Sequence, residues 1–345
     1  SLFFLPLKGQ GTPLHGTYII GPVNSDFINL SDAINALNSN GISDTVIFKL
    51  RGSQVGQFLL NATIQGISAA HPVIFESFYA NPKSVIIQTG QDYTLSLSKQ
   101  SHLLFRNLTF ENYKDKSDTY AVTLGSCTNI IFENCHFLKQ GQEATTLDYE
   151  AAVQIRSQPS QSHPNGIQFR NCLFEGNGSG MTISSFQETV TIDSCQFLNT
   201  GKYAVKTKWC KKIVVSDCVL SGEVENSWTD LILFSGNHVF AESNLSSGQF
   251  KDNIFYHKVS LTGSSAQRNI FMYSCDCDVI GQVNNTFYGD VHLSHRDNID
   301  FFYNTCYSNV SFAFSNNTEW SSNIFYEKAS CSFCDNSVFD NNFFY

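Results

Sequence analysis

The chain contains a short motif that recurs at intervals too short for separate domains. Two apolar residues are followed by a polar pair that usually ends in Asn, and then by two more apolar residues. The copies are LLFRNLTF at 103, IIFENCHF at 130, IQFRNCLF at 167, VTIDSCQF at 190 and IVVSDCVL at 213. Self-similarity at such a period is typical of a solenoid, in which each repeat is one coil stacked on the next.

The polar position of this motif forms two series. The first is spaced by 27, 37, 23 and 23 residues and comprises Asn107, Asn134, Asn171, Ser194 and Asp217. The second is spaced by 16 to 19 residues and comprises Asn253, Asn269, Asn285, Asn304, Asn323 and Asn342. Asn tolerates left-handed backbone, and its amide can bond to an Asn about 4.8 Å away on the next coil. We therefore interpret both series as one corner position carrying an Asn ladder.

The unit IIFENCHF shows how one coil is built. Ile130 and Phe132 point inward with the two-residue period of a strand, and Cys135 and Phe137 point inward from the next strand. Low charge (15%) and 30 Phe against 2 Met disfavour a helical protein. A leucine-rich repeat fold is disfavoured because it needs several Leu per repeat, whereas the interior here is Phe, Ile, Val and Cys. A left-handed β-helix is disfavoured because the sequence has no six-residue period. The pattern predicts an all-β, parallel β-helix solenoid.

One short helix is predicted near the start of the chain. Ser31 is a suitable N-cap, apolar residues recur at Ala33, Ile34 and Leu37, and Gly41 follows. These signals predict a helix over residues 32–39. Strand-like segments follow it: TVIFKL from Thr45, HPVIFESF from His71, KSVIIQT from Lys83 and TLSLS from Thr94.

The eleven cysteines are an odd number, and most of them repeat in register. Cys135, Cys172, Cys195 and Cys218 occupy one motif position, so we predict that they stack in the interior as small apolar side chains. Two close pairs remain, Cys275 with Cys277 and Cys331 with Cys334. At these pairs, a disulfide or a metal site is the alternative to free cysteines. Of these alternatives, we do not predict the metal site.

Charge and hydropathy limit the partners. A net charge of -9 argues against a nucleic-acid surface, and no apolar run is long enough to span a bilayer. Ser1–Gln10 resembles the second half of a secretory signal peptide; a short strand on the first coil is the alternative. We predict a secreted or cell-surface monomer without a cofactor, and Ca²⁺ is not indicated.

The quoted segments resemble a known class. GTYIIGP, FINLSDAINALNSNGIS, TVIFKL and HPVIFESF resemble the N-terminal cap of secreted right-handed β-helix proteins of Bacteroidetes type, and the NCxF coils resemble the pectate-lyase-like superfamily. The resemblance implies a right-handed β-helix with an N-terminal cap. From the repeats we place the cap and first coils at 11–99 and the continuous coils at 100–345. Because a repeat motif is still running at Tyr345, we expect the natural chain to continue. Members include lyases, hydrolases and adhesins, so the fold does not select a function.

A candidate site follows from aligning the strands that precede the NCxF units. With Val122, Val153, Ile183 and Val205 inward, the outward residues are Thr123, Gln154, Thr182 and Lys206, then Gly125, Arg156, Ser184 and Lys208. Arg156 would lie about 10 Å, two coil rises, from the lysine pair. The insertions beside this strand carry Asp148, Glu150 and His163, and Trp209 could stack on a sugar ring. The alternative interpretation is that the basic residues only keep the strand face soluble.

Two functions remain open at this point. The leading hypothesis is a structural stalk or glycan-binding adhesin module, because no catalytic constellation stands out. The alternative is a polysaccharide lyase, in which Arg156, Lys206 and Lys208 would offset a substrate carboxylate and remove a proton. A glycoside hydrolase is less favoured, since it needs two carboxylates across a glycosidic bond and the candidate pair, Asp148 and Glu150, also suits a solvated loop. The sequence leaves open whether the chain is an enzyme.

Overall fold

A computed structural model describes residues 11–116, 118–140, 151–156, 165–184, 189–294, 297–314 and 316–345. It is a right-handed parallel β-helix, which confirms the predicted fold class. A full coil passes through three strands, and like strands of successive coils pair in parallel to form three faces, which we call A, B and C. Among the described residues, no helix is long and apolar enough to cross a bilayer.

Face A contains Phe58–Leu60, Tyr93–Ser98, Tyr120–Gly125, Ala151–Arg156, Ser179–Ser184, Tyr203–Lys208, Glu223–Ser227, Val291–Ser294, Val310–Ala313 and Ala329–Ser332. Face B contains Leu14–Ile20, Ile42–Leu50, Val73–Ser77, Ser101–Arg106, Thr128–Glu133, Asn165–Arg170, Thr189–Asp193, Lys212–Ser216, Leu231–Ser235, Asp300–Phe302, Glu319–Ser321 and Val338–Asp340. Three long strands run from face A into face B: Ser243–Lys251, Val259–Gln267 and Cys275–Val283.

Face C consists of shorter strands. They are Gln54–Val55, Ile86–Thr89, Thr109–Asn112, His136–Lys139, Leu173–Gly176, Gln196–Leu198, Val219–Leu220, His238–Val239, Ile254–Phe255, Ile270–Phe271, Thr286–Phe287, Thr305–Cys306, Ile324–Phe325 and Phe343–Phe344. A 3₁₀ turn, Pro82–Ser84, precedes the second of these strands.

The α-helix spans Leu30–Asn40 and covers the first coils. Its N-cap is Asn29, whose side-chain oxygen accepts a 2.9 Å hydrogen bond from the backbone N–H of Asp32, so the predicted cap at Ser31 was wrong. Asn29 suits this role because its own backbone is extended, at φ -148° and ψ 170°, and the helix begins at the next residue, Leu30. Gly41 ends the helix at φ 65°, as predicted.

Phenylalanines fill the interior as stacked columns. Phe75, Phe105, Phe132 and Phe169 lie on successive coils of face B with ring centroids 5.0–5.2 Å apart and nearly parallel rings. Phe137, Phe174 and Phe197 do the same on face C at 4.9 and 4.3 Å. The spacing is that of paired strands, so the inward two-residue alternation of each strand is repeated in register along the solenoid.

A second interior column follows the corner between faces B and C. The predicted cysteine stack is confirmed: Cys135, Cys172, Cys195 and Cys218 are buried, and the N–H groups of Cys172 and Cys195 each lie 3.4 Å from the Sγ of the next member. The first Asn series occupies the corner itself in left-handed backbone, as at Asn134 with φ 50°.

The second Asn series does not share that position, so our alignment of the two series was wrong. In these coils the left-handed residue is the one before, for example Asn284 at φ 56°, and Asn285 is buried. These Asn residues continue the cysteine column in the interior. The later cysteines Cys275 with Cys277 and Cys331 with Cys334 are paired as disulfides.

Candidate functional site

The outward side of face A places the basic residues in two registered columns. Thr123, Gln154, Thr182 and Lys206 pair coil by coil, and so do Gly125, Arg156, Ser184 and Lys208. Arg156 is therefore two strands from Lys208, a separation of about 10 Å between backbones. On the inward side, Met181 aligns with Val153 and Val205, whereas Ile183 aligns with Ile155, which corrects the alignment used for the prediction.

One coil concentrates positive charge on face A and at its corner with face B. The segment Lys202–Lys212 contains five lysines and no acidic residue, in a chain whose net charge is -9. Lys206 is held by neighbours: its Nζ lies 3.4 Å from Glu225 Oε1 and 4.3 Å from the centroid of the Tyr203 ring. This coil is therefore a local exception to the negative charge of the whole chain.

Trp209 stacks on a second tryptophan that our sequence reasoning missed. The ring centroids of Trp209 and Trp228 are 5.5 Å apart, and the ring planes are 7° from parallel. Trp209 is 45% exposed and Trp228 is 67% exposed. Lys208 Nζ lies 4.2 Å from the centroid of Trp209 and 5.0 Å from that of Trp228. The signal for Trp228 was its position directly after a strand, which is also the position of Trp209 one coil earlier.

Both tryptophans occupy left-handed corners between faces A and B, at φ 56° and 49°. Bulky residues adopt this backbone at a cost, so surrounding contacts have to hold it. Buried polar groups do so here. Thr207 and Thr229 are hydrogen bonded at 3.3 Å, and Asn226 Nδ2 donates to the carbonyl of Ser246 at 2.6 Å. The two rings are thus presented on a fixed corner.

The column of Lys206 continues along face A into a polar groove. The next members in register are Glu225, Asn244, Ser260 and Asp276. Their outer side borders an open groove of about 320 Å³, also lined by Lys202 and Lys258. Lys258 Nζ is 3.3 Å from Asp276 Oδ2. Cationic groups at the tryptophan end therefore give way to mixed charge further along.

A larger groove of about 560 Å³ lies on face B, but three of its charged lining groups, Lys49, Glu76 and Arg106, form ion pairs with one another. The outward residues at the end of six successive strands alternate in sign: Lys49, Glu76, Arg106, Glu133, Arg170 and Asp193. Glu76 forms ion pairs with both Lys49 and Arg106. We interpret this ladder as a device that fixes strand register.

Three of the predicted site residues lie outside the described residues: Asp148, Glu150 and His163. Arg156 is exposed at the end of its strand. In the described ranges, no group of three or more His, Cys, Asp or Glu side chains is arranged to hold a metal ion.

The chain belongs to the right-handed β-helix region family, whose model matches residues 83–274, more than half of its length. No curated protein sequence matches it. These coils are thus members of a family defined by architecture.

Several solved structures are similar to this chain at low sequence identity. The surface protein and adhesin PfbA of Streptococcus pneumoniae is 11% identical with a TM-score of 0.44, over 92% of this chain and 95% of that one. Pectin methylesterase from Aspergillus niger is 10% identical with a TM-score of 0.42, over 81% and 92%. A mannuronic acid specific polysaccharide family 6 lyase from human gut microbiota is 10% identical with a TM-score of 0.39, over 95% and 83%. At these values the likenesses do not bear on what this chain binds.

Proposed function

We propose that this chain is an extracellular glycan-binding protein, an adhesin module that holds an acidic polysaccharide on face A. The observation that carries the proposal is the exposed Trp209–Trp228 stack with the Lys208 ammonium beside both rings. Aromatic rings supply a surface for the apolar side of a sugar, and the ammonium supplies a partner for a sugar carboxylate.

The Trp209–Trp228 corner between faces A and B presents a ring face as well as ring edges. The next corner residue along the stack is Ser247, an exposed small side chain in the same left-handed backbone. Beyond Trp228, the stack therefore meets a small residue rather than a third ring. An extended glycan can lie along face A from this corner toward Arg156, crossing strands at about 4.8 Å intervals.

The test is binding to a panel of soluble polysaccharides: polygalacturonate and alginate as polyuronates, and a neutral glucan. Binding is followed by quenching of tryptophan fluorescence and by calorimetry. We expect a polyuronate to bind. The double variant Trp209→Ala/Trp228→Ala should lose at least about 10-fold in affinity, because each stacking contact between a sugar and an aromatic ring is worth on the order of 1 kcal/mol or more.

A matched control is available on the same protein. Phe314 and Phe333 form another exposed parallel pair, with centroids 5.0 Å apart and rings 2° from parallel. The segment that contains each of them lacks a neighbouring lysine of the Lys208 type. Phe314→Ala/Phe333→Ala should bind as the wild type does. Equal loss in both double variants, or no binding to any polyuronate, contradicts the proposal.

A lyase remains the second candidate because Arg156, Lys206 and Lys208 share one outward face. Elimination from a uronate needs a cation at the carboxylate and a base at the adjacent carbon. The same panel separates the two functions. Appearance of unsaturated product in the ultraviolet, abolished in Lys206→Ala and Lys208→Ala, establishes the lyase; saturable binding without product establishes the binding protein.

A further inference from the structure

The outward side chains of face C change from partly charged to uncharged along the solenoid. In its earlier coils the outward residues include charged or titratable groups such as Glu111, His136 and Glu175, and His136 Nε2 lies 3.2 Å from Glu175 Oε2. From residue 238 to 326 the outward side consists of two columns without an Asp, Glu, Lys or Arg. The first column is His238, Ile254, Ile270, Thr286, Thr305 and Ile324.

The second column, which we call the aromatic strip, is exposed. It consists of Phe240, Tyr256, Met272, Tyr288, Tyr307 and Tyr326. Five of these six residues are 41–48% exposed, and Tyr256 is half-buried. The strip crosses five coil intervals, a length of about 24 Å. A contiguous exposed surface of this length, made largely of aromatic side chains, is typical of an interaction site.

The ring geometry indicates what kind of partner fits. Phe240 stacks on Tyr256 at 4.4 Å and 2°, Tyr288 on Tyr307 at 4.9 Å and 4°, and Tyr307 on Tyr326 at 4.7 Å and 8°. Because these rings cover one another's faces, they present edges outward. A sugar ring stacks on an open aromatic face. The far face of Tyr326 is covered by Tyr345 at 5.0 Å, whereas the outer face of Trp228 meets only the small Ser247, so the strip is less suited to a glycan than the Trp209–Trp228 corner is.

We propose that the aromatic strip and its neighbouring column form the surface on which a second copy of this chain docks, with the two C faces packed against each other. The like net charges of -9 on two copies oppose their association, so a contact between them has to form where no charged side chain is buried. Face C from residue 238 to 326 is such a surface. The same patch on both copies meets itself in a twofold dimer.

The available area supports a specific contact. Aromatic side chains have about 150–250 Å² each, so six residues that are roughly half exposed offer on the order of 600 Å². The Ile and Thr column adds to this, which brings the surface near the roughly 800 Å² per partner of a standard interface. Two flat β-sheets pack face to face at about 10 Å, a distance that Tyr and Ile side chains fill.

The test is the concentration dependence of mass by sedimentation velocity and light scattering on the full chain. We expect the wild type to be a dimer at micromolar concentration, and Tyr288→Glu/Tyr326→Glu to be a monomer throughout the range. Tyr288→Ser/Tyr326→Ser removes aromatic surface without adding charge and should weaken the dimer at least about 10-fold, since buried aromatic residues dominate interface energy. Circular dichroism checks that each variant retains the β-helix.

The control adds the same two charges to another face. Gln249→Glu/Gln267→Glu places two carboxylates at exposed positions of face B and should leave the dimer intact. A monomeric wild type, as expected from the sequence, would overturn the proposal. So would a dimer that persists in both Tyr288/Tyr326 variants, or one that dissociates equally in the face B control. Loss of polysaccharide binding in the tyrosine variants with no change in mass would assign face C to a glycan instead.

Discussion

The side-chain oxygen of Asn237 accepts a 3.0 Å hydrogen bond from the backbone N–H of Cys218, so Asn237 occupies in its coil the place that Cys218 occupies in the coil before. The interior column thus changes from thiols to amides at this point. Each later Asn accepts from the N–H of the preceding one and donates its Nδ2 to a strand carbonyl, as Asn269 does to Phe250 at 2.9 Å. The amide column satisfies the backbone of the shorter coils, which are spaced by 16 to 19 residues.

Asn269→Leu should destabilise the solenoid by about 3–5 kcal/mol. The Asn269 side chain is fully buried, accepts from the N–H and Nδ2 of Asn253, and donates to Phe250 and Asn285. An apolar replacement leaves several buried backbone and amide groups unpaired, at about 1–3 kcal/mol each. Equilibrium denaturation followed by circular dichroism measures the loss.

Asn284→Gly is the matched control for this prediction. Asn284 is exposed in left-handed backbone, and Gly236 occupies the same corner of an earlier coil at φ 68°. Glycine adopts that backbone without penalty, so the variant should stay within about 1 kcal/mol of the wild type. Similar losses at positions 269 and 284 would show that the interior amide column contributes little.

The buried cysteines should be inert in the native state. Burial raises the pKa of the Cys127 thiol to about 11 and that of Cys135 to about 12. At pH 8 the reactive thiolate is therefore rarer by roughly 100- to 1,000-fold than in the unfolded chain. We expect Ellman's reagent to modify Cys127 and Cys135 only after denaturant is added; rapid modification without denaturant would contradict their placement.

The same shifts predict a loss of stability in alkali. The folded pKa of these thiols lies above the unfolded value of 9.0, so the unfolded chain releases protons first as pH rises. Their contribution is complete below pH 9 and declines through about pH 11–12. The decline should be shallower in Cys135→Ala when denaturation midpoints are compared from pH 8 to 11. Parallel pH profiles for the two proteins would exclude this source.

Much of the fold was predictable because each coil of a solenoid repeats the same pattern of inward and outward residues. The inward alternation of Ile130, Phe132, Cys135 and Phe137 recurs in every NCxF coil, so one coil was enough to predict the cysteine column. The shift of the second Asn series was also encoded, in the distance to the next inward Phe. Phe137 follows Asn134 by three residues, whereas Phe271 follows Asn269 by two, and that difference moves the Asn from the corner to the interior.

The candidate site was only partly predictable, for a physical reason. Strand period two was sufficient to place Arg156, Lys206 and Lys208 on one outward face. The Trp209–Trp228 contact depends on two corners that belong to different coils, and coil lengths vary from 16 to 37 residues. Which corner residues meet depends on how successive coils are aligned. Because the repeat length varies, that alignment is known only once the strand pairing is known.

The ion ladder on face B should make Glu76 and Arg106 energetically coupled. The Glu76 side chain is only 10% exposed, between Lys49 and Arg106. In a double-mutant cycle with Glu76→Gln and Arg106→Gln, we expect a coupling of about 1–2 kcal/mol, reduced from the value of a fully buried pair because the Arg106 side chain is 36% exposed. Additive losses would mean that the alternating charges do not stabilise the register.

The charge of Lys208, rather than its bulk, should select acidic glycans. Lys208→Met keeps an unbranched chain against Trp209 and Trp228 but removes the ammonium that lies 4.2 and 5.0 Å from the ring centroids. Affinity for a polyuronate should then fall about 5- to 10-fold, the size of one exposed charge-assisted contact. The wild-type affinity should also decline between 50 and 500 mM NaCl, and that of the variant less so, because one ionic contact is missing. Lys208→Arg retains the charge and should restore most of the binding, whereas a Met variant that binds as tightly as the wild type at low salt would leave stacking alone as the source of affinity.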